Sequence, residues 1–167
     1  MIPFVTRLPV FSRNIDRLLN GDDAGRYLIW QVLINNFKSS PIIGVGRNVY
    51  YSQMNIGAHN DYLRVLSENG LVGFTFCLLA LMIPLLQMLR FIFYNRNAIR
   101  MMLFKEVKYL IFELLVSIFW QILILLYALT GNPLNSIEQL ASYMAFTAMG
   151  VSAKRELELV IVEVDNI

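Results

Sequence analysis

The stretch LVGFTFCLLALMIPLLQML, residues 71–89, decides the fold: it is a run of 19 residues without a charge. A helix needs about 20 mostly apolar residues to cross a hydrocarbon core about 30 Å thick. The apolar character continues to Tyr94, so the sequence predicts a membrane helix over residues 71–94. Pro84 lies inside it, and membrane helices tolerate such kinks when neighbours satisfy the freed carbonyl. The alternative is a buried core helix, and a second apolar run argues against it. That run covers residues 109–131, with Glu113 its one charged residue. Glu113 reads either as an interfacial acid pairing with Lys105 or Lys108, or as a functional intramembrane acid.

A third segment, residues 134–153, is shorter and contains Glu138. Asn132-Pro133 supplies a turn before it, and Ser136 with Gln139 fits a capping box. It reads as a third, weaker membrane helix or a re-entrant segment. Beyond it, residues 156–164 alternate acidic and aliphatic side chains, a strand pattern.

Composition agrees with a membrane protein. Of 167 residues, 57% are hydrophobic and 16% charged, with a mean hydropathy of +0.55. Soluble domains carry about 25% charged residues, and disordered chains need low hydrophobicity. The net charge of +2 is too mild to point to nucleic acid. The single cysteine, Cys77, excludes an internal disulfide. With one histidine, His59, a zinc site has too few nitrogen and sulfur ligands, so no metal or cofactor is expected. The fold class expected is all-α: an integral membrane helical protein with about three membrane helices and an extracytoplasmic helical segment.

Loop charges set the orientation. Arg90, Arg96, Arg100, Lys105 and Lys108 lie between the first two apolar runs, against Glu106 alone. Loops rich in Lys and Arg stay in the cytoplasm. The turn near residues 131–135 is uncharged, and Lys154-Arg155 opens the tail. Residues 1–70 are therefore expected outside the cytoplasm and residues 154–167 inside.

The outer segment has structure of its own. Asp22-Asp23 can cap a helix over residues 24–38, with Arg26, Trp30, Leu33 and Phe37 on one face. Ser39-Ser40-Pro41 stops it, and Gly44-Val45-Gly46 makes a tight turn. A dinucleotide fingerprint is rejected there, because position 49 is Val where a third glycine is required. Residues 58–69 read as another helix, capped by Asn60 and ended by Gly70.

His59 is the side chain whose ordinary pKa lies nearest neutrality. A neutral imidazole there could take a proton from an attacking hydroxyl; the alternative is a loop histidine bonded to a carbonyl. Arg26 sits at a helix N-terminus, where a cation does not suit the dipole. It calls for a partner, either Asp22 or Asp23, or an anion such as a phosphate, which guanidinium binds through two parallel hydrogen bonds. Arg47 and Arg64 are further candidates for the same work, with solvated surface charge as the alternative.

Four elements in order resemble a known family: Gly25-Arg26-Tyr27-Leu28-Ile29-Trp30, Ser40-Pro41-Ile42-Ile43-Gly44-Val45-Gly46, Ala58-His59-Asn60-Asp61-Tyr62-Leu63 and Ser67-Glu68-Asn69-Gly70-Leu71-Val72-Gly73. They resemble the C-terminal portion of the O-antigen ligase and polymerase family, whose polymerases also build capsule and exopolysaccharide. The resemblance covers roughly residues 24–90. It implies a bacterial inner-membrane glycosyltransferase without a cofactor. The implied donor is a glycan on an undecaprenyl-type diphosphate, and the acceptor is lipid A-core or a growing glycan. It further implies that His59 activates the acceptor hydroxyl while Arg26 engages the diphosphate. Family members carry many more membrane helices ahead of this region, so the chain is expected to be a fragment or to need a partner chain. Two other readings stand beside it: a non-catalytic membrane subunit of an envelope assembly complex, and a small transporter fragment. Against the transporter, the apolar runs hold no charge pair.

Overall fold

The computed structural model describes residues 26–55, 57–102 and 107–165, with side chains described as far as residue 162. The expected Asp22-Asp23 cap and Lys105 lie outside these residues. Among the described residues six α-helices follow one another: α1 (Arg26–Ser39), α2 (Val49–Met54), α3 (Asp61–Tyr94), α4 (Arg96–Met102), α5 (Lys108–Tyr127) and α6 (Ile137–Asp165). A short 3-10 turn, Pro133–Asn135, joins α5 to α6. No strand occurs among the described residues.

Among the described residues two helices, α3 and α5, are long and apolar enough to cross a membrane. At 1.5 Å per residue the 20 residues of α5 extend about 30 Å, the thickness of the hydrocarbon core. Their outward faces carry Phe76, Leu79, Ile83, Leu86, Phe93, Phe112, Leu115 and Phe119, all exposed. Soluble proteins rarely leave so continuous an apolar surface in water. A core helix would bury these residues, so the exposed face favours lipid over the soluble alternative. The third expected segment, residues 134–153, forms the 3-10 turn and the first half of α6.

The helices α3, α5 and α6 pack around Leu85, Met88 and Phe91 of α3, Leu110, Ile111, Leu114 and Ile118 of α5, and Ala153 and Leu157 of α6. A polar clasp crosses this core. Gln121 Nε2 donates to Ser117 Oγ at 3.1 Å and approaches Met88 Sδ at 3.4 Å. Tyr143 donates its hydroxyl to the Leu81 carbonyl at 2.7 Å. Gly150 lets α6 approach closely: a Cβ there would lie 2.2 Å from Ser117 Oγ. Small residues at such crossings let membrane helices pack backbone to backbone.

One expectation is corrected. The acidic–aliphatic alternation of the tail reads as a strand, yet α6 runs through it to Asp165. The same residues also satisfy a helical period. Leu157 is fully buried one turn after Ala153, and Val160 and Ile161 follow on that face. Lys154 and Glu158 pair one turn apart at 2.9 Å. An already formed helix extends at little cost, and among the described residues there is no strand with which the tail could pair. Glu113 is partly exposed and forms no ion pair with Lys108.

Candidate functional site

The site begins with a break. Gly70 lies inside α3 with φ 63° and ψ −167°, a conformation open essentially to glycine alone. The helix reverses there. In a straight helix Tyr62 and Leu81 would be about 28 Å apart, yet both line one small cavity with Val65, Phe74 and Cys77. Residues 61–69 therefore double back beside the first turns of the apolar segment. The expectation that Gly70 ends the outer helix holds in this sense.

A reversal strands backbone groups on both sides, because a helix end leaves its terminal N–H and C=O groups unpaired. The turn after α1 satisfies them. Val45 and Gly46 donate their N–H groups to the Ser67 and Glu68 carbonyls, each at 3.0 Å. In return the Pro41 and Ile42 carbonyls accept from Leu71 and Val72 N–H, at 2.9 and 3.2 Å. One short strap thus closes the end of one helical segment and the start of the next. Its approach is backbone on backbone: a Cβ on Gly44 would meet Glu68 and Asn69 backbone at 2.3–2.4 Å. This is the physical content of the Pro-x-x-Gly-x-Gly and Glu-x-Gly elements.

The segment entering the break carries a buried ion cluster. Arg64 Nε donates to Asp61 Oδ1 at 2.8 Å, and one terminal nitrogen of Arg64 donates to Glu68 Oε2 at 2.9 Å. All three residues are buried, Arg64 at 7% exposure. The expectation that Arg64 is either a phosphate ligand or a solvated charge meets a third arrangement, a cation held between two carboxylates. Burial pushes the Asp61 carboxyl above its ordinary value, opposed by Arg64 and by the Leu134 N–H. The cluster also ties elements together: Glu68 Oε1 accepts the Asn48 N–H at 2.8 Å, and Asp61 Oδ2 accepts the Leu134 N–H at 2.6 Å. Asp61 N–H in turn donates to Ala128 O at 2.8 Å. Asp61 and Glu68 are the site residues that sequence reading leaves without a role. Their signal is the spacing, Asp61, Arg64 and Glu68 on one helical face.

His59 stands just before this segment. Asn60 caps it, accepting the Leu63 N–H at 3.0 Å, as expected. His59 itself has φ 51°, in the left-handed region, which histidine enters more readily than most side chains. The preceding residue is clamped from both sides. Tyr50 OH accepts the Ala58 N–H at 3.0 Å, and Trp30 Nε1 donates to the Ala58 carbonyl at 3.3 Å. Ile29, Leu33, Tyr50 and Ala58 form the small apolar core beneath. Burial also pushes the Tyr50 hydroxyl above its ordinary value, so it stays neutral near neutral pH. Strained residues at such places cost about 1–3 kcal/mol and persist when the surroundings over-determine them. The fold-back places Tyr62 beside the end of α5, its hydroxyl donating to Leu125 O at 2.8 Å. His59 is therefore next to the α5–α6 turn.

Arg26 is exposed on the first turn of α1, one turn before Trp30. Arg47 is exposed beside Asn48, whose N–H reaches Glu68. Among the described residues no hydrogen bond or ion pair joins Arg26, Arg47 or His59 to another candidate; each instead adjoins a residue of the clamp or the ion cluster. A cleft of about 730 Å³ opens between α3 and α6, with Arg64, Leu81, Pro84, Tyr143 and Thr147 in its lining. Among the described residues no group of three or more His, Cys, Asp or Glu could hold a metal.

A family model described as O-antigen ligase matches residues 4–78. That stretch contains α1, the strap, the clamp, the ion cluster and the break. No curated protein and no solved structure matches the chain.

Proposed function

We propose, from the O-antigen ligase match over residues 4–78, that this chain carries the acceptor-activating part of a membrane glycosyltransferase of the bacterial cell envelope. The donor is a glycan on a polyprenyl diphosphate, and the acceptor is a hydroxyl of lipid A-core or of a growing glycan. The acceptor oxygen bonds to the anomeric carbon of the donor sugar. The bond from that carbon to the diphosphate oxygen breaks, and its electron pair leaves with the lipid diphosphate. The hydroxyl proton passes to an imidazole nitrogen of His59. Arg26 and Arg47, both exposed, meet the charge that develops on the leaving diphosphate. Arg64 is already engaged by two carboxylates, and we assign it to holding the break rather than the diphosphate. The apolar cleft between α3 and α6 receives the polyprenyl chain.

The observation that carries this reading is the clamped backbone ahead of His59. Trp30 and Tyr50 fix Ala58, and the left-handed turn at His59 follows. This fixes the backbone from which His59 presents its imidazole beside the α5–α6 turn. We place residues 1–70 on the extracytoplasmic side of the inner membrane, a reading supported by the basic loop between α3 and α5. A reporter active only in the cytoplasm and fused after Gly21 tests this placement: it stays silent if the placement holds, and activity there would reverse the topology.

The catalytic role is tested by His59→Ala in cells that make the polymer, with the amount of membrane protein measured alongside. Loss of glycan laddering at normal protein level is expected. Unchanged laddering would remove the catalytic role and favour the non-catalytic subunit. Arg26→Lys is expected to lower activity as well, since the ammonium cannot form two parallel hydrogen bonds.

A further inference from the structure

The turn that meets His59 carries a polar group the reaction above does not use. Asn132 Oδ1 is buried and has no hydrogen-bond partner. A buried carbonyl left unpaired costs about 1–3 kcal/mol. Asn132 is also fixed in place: its carbonyl accepts the Asn135 N–H at 3.1 Å, and two residues on Leu134 N–H is bound by Asp61. The loop cannot drift away from His59 without breaking that contact.

Gly57 reports how close the two side chains are. A Cβ there would lie 2.9 Å from Asn132 Nδ2 and 4.0 Å from His59 Nε2. The amide and imidazole nitrogens are thus within about 7 Å of each other. An oxygen bonded to both at ~2.9 Å bridges separations up to about 5.8 Å. An amide offers both a donor and an acceptor, the pair of functions that a sugar hydroxyl needs.

We propose that Asn132 binds the acceptor sugar, gripping the hydroxyl that His59 deprotonates or its neighbour on the same ring. The proposal rests on the function proposed above, which supplies the acceptor and the role of His59; binding by Asn132 is measured apart from transfer. Gly57 is the residue whose lack of a side chain keeps the space open.

The experiment separates the two. The full chain is purified in detergent, and equilibrium binding of lipid A-core and of the lipid-linked repeat unit is measured for wild type, His59→Ala, Asn132→Ala and Asn132→Asp. Thermal unfolding of each variant is recorded. The proposal expects at least one of the two glycolipids to bind wild type. Asn132→Ala weakens that binding at least about tenfold without lowering the unfolding temperature. Asn132→Asp, nearly isosteric, keeps the fold and also weakens binding, because it lacks the N–H donor. Equal binding by wild type and both Asn132 variants overturns the proposal, as does no binding of either glycolipid by wild type. If His59→Ala retains full transfer activity while the Asn132 variants lose binding, the base assignment fails and the acceptor site stands.

Discussion

Replacing Gly70 with alanine tests the architecture of the break. The residue has φ 63° and ψ −167°, a region in which a side chain costs about 1–3 kcal/mol. The new methyl would also fall 2.4 Å from Ile42 C and O and 2.6 Å from Gly44 N. These are backbone atoms, so no rotamer change relieves the clash, and overpacking of this kind adds about 1–3 kcal/mol. The strap must then move. The four backbone hydrogen bonds it makes across the break are each at risk, at about 1 kcal/mol apiece. The expected loss for Gly70→Ala is therefore about 2–6 kcal/mol, measured by reversible unfolding of the full chain in mixed micelles. Gly46→Ala is the internal control. Gly46 also has positive φ, but a Cβ there would meet nothing within 4 Å, so the variant suffers backbone strain alone. A Gly70→Ala variant no less stable than Gly46→Ala would refute the strap as a close backbone-on-backbone contact.

Three further outcomes follow from the same structure. Arg64→Ala leaves Asp61 and Glu68 buried without their cation and is expected to cost about 3–5 kcal/mol, read as a lowered thermal midpoint in detergent. Gly150→Leu drives a side chain into Ser117 and Met88; disulfide trapping between α5 and α6 should fall, while the fold around α1 persists by limited proteolysis. Asn60→Ala removes the cap on the Leu63 N–H and should destabilise by about 1 kcal/mol, much less than either glycine or arginine change.

Much of the fold is legible in the chain because two signals are strong. Uncharged apolar runs announce α3 and α5, and punctuation by Ser39-Ser40-Pro41, Asn60 and Gly70 places the ends of the outer elements. Gln139 N–H donates to Ser136 Oγ at 3.3 Å, as the capping motif implies. What periodicity could not reveal is the reversal at Gly70. A glycine marks a break, but the angle of the break depends on the Pro41 and Ile42 carbonyls, some 30 residues away in sequence. The tail failed for a different reason: alternation and helical spacing coincide where Ala153, Leu157 and Ile161 recur every four residues. At the site, His59 and the arginines stand out by residue type alone. The residues that hold Ala58 and Arg64, namely Trp30, Tyr50, Asp61 and Glu68, are set by contacts over 3 to 28 residues of sequence. Asn132 reads in the sequence only as part of the Asn132-Pro133 turn, and its proximity to His59 exists only once the α5–α6 turn is docked.

The central claim is glycan transfer with His59 as base. The most direct measurement supplies membranes bearing the chain with a polyprenyl diphosphate carrying a labelled glycan and records release of free lipid diphosphate. Wild-type membranes are predicted to release it in step with transfer of the label to acceptor. The His59→Ala membranes should do so about 10²–10⁴-fold more slowly at equal protein level. Equal release rates in the two would contradict the account.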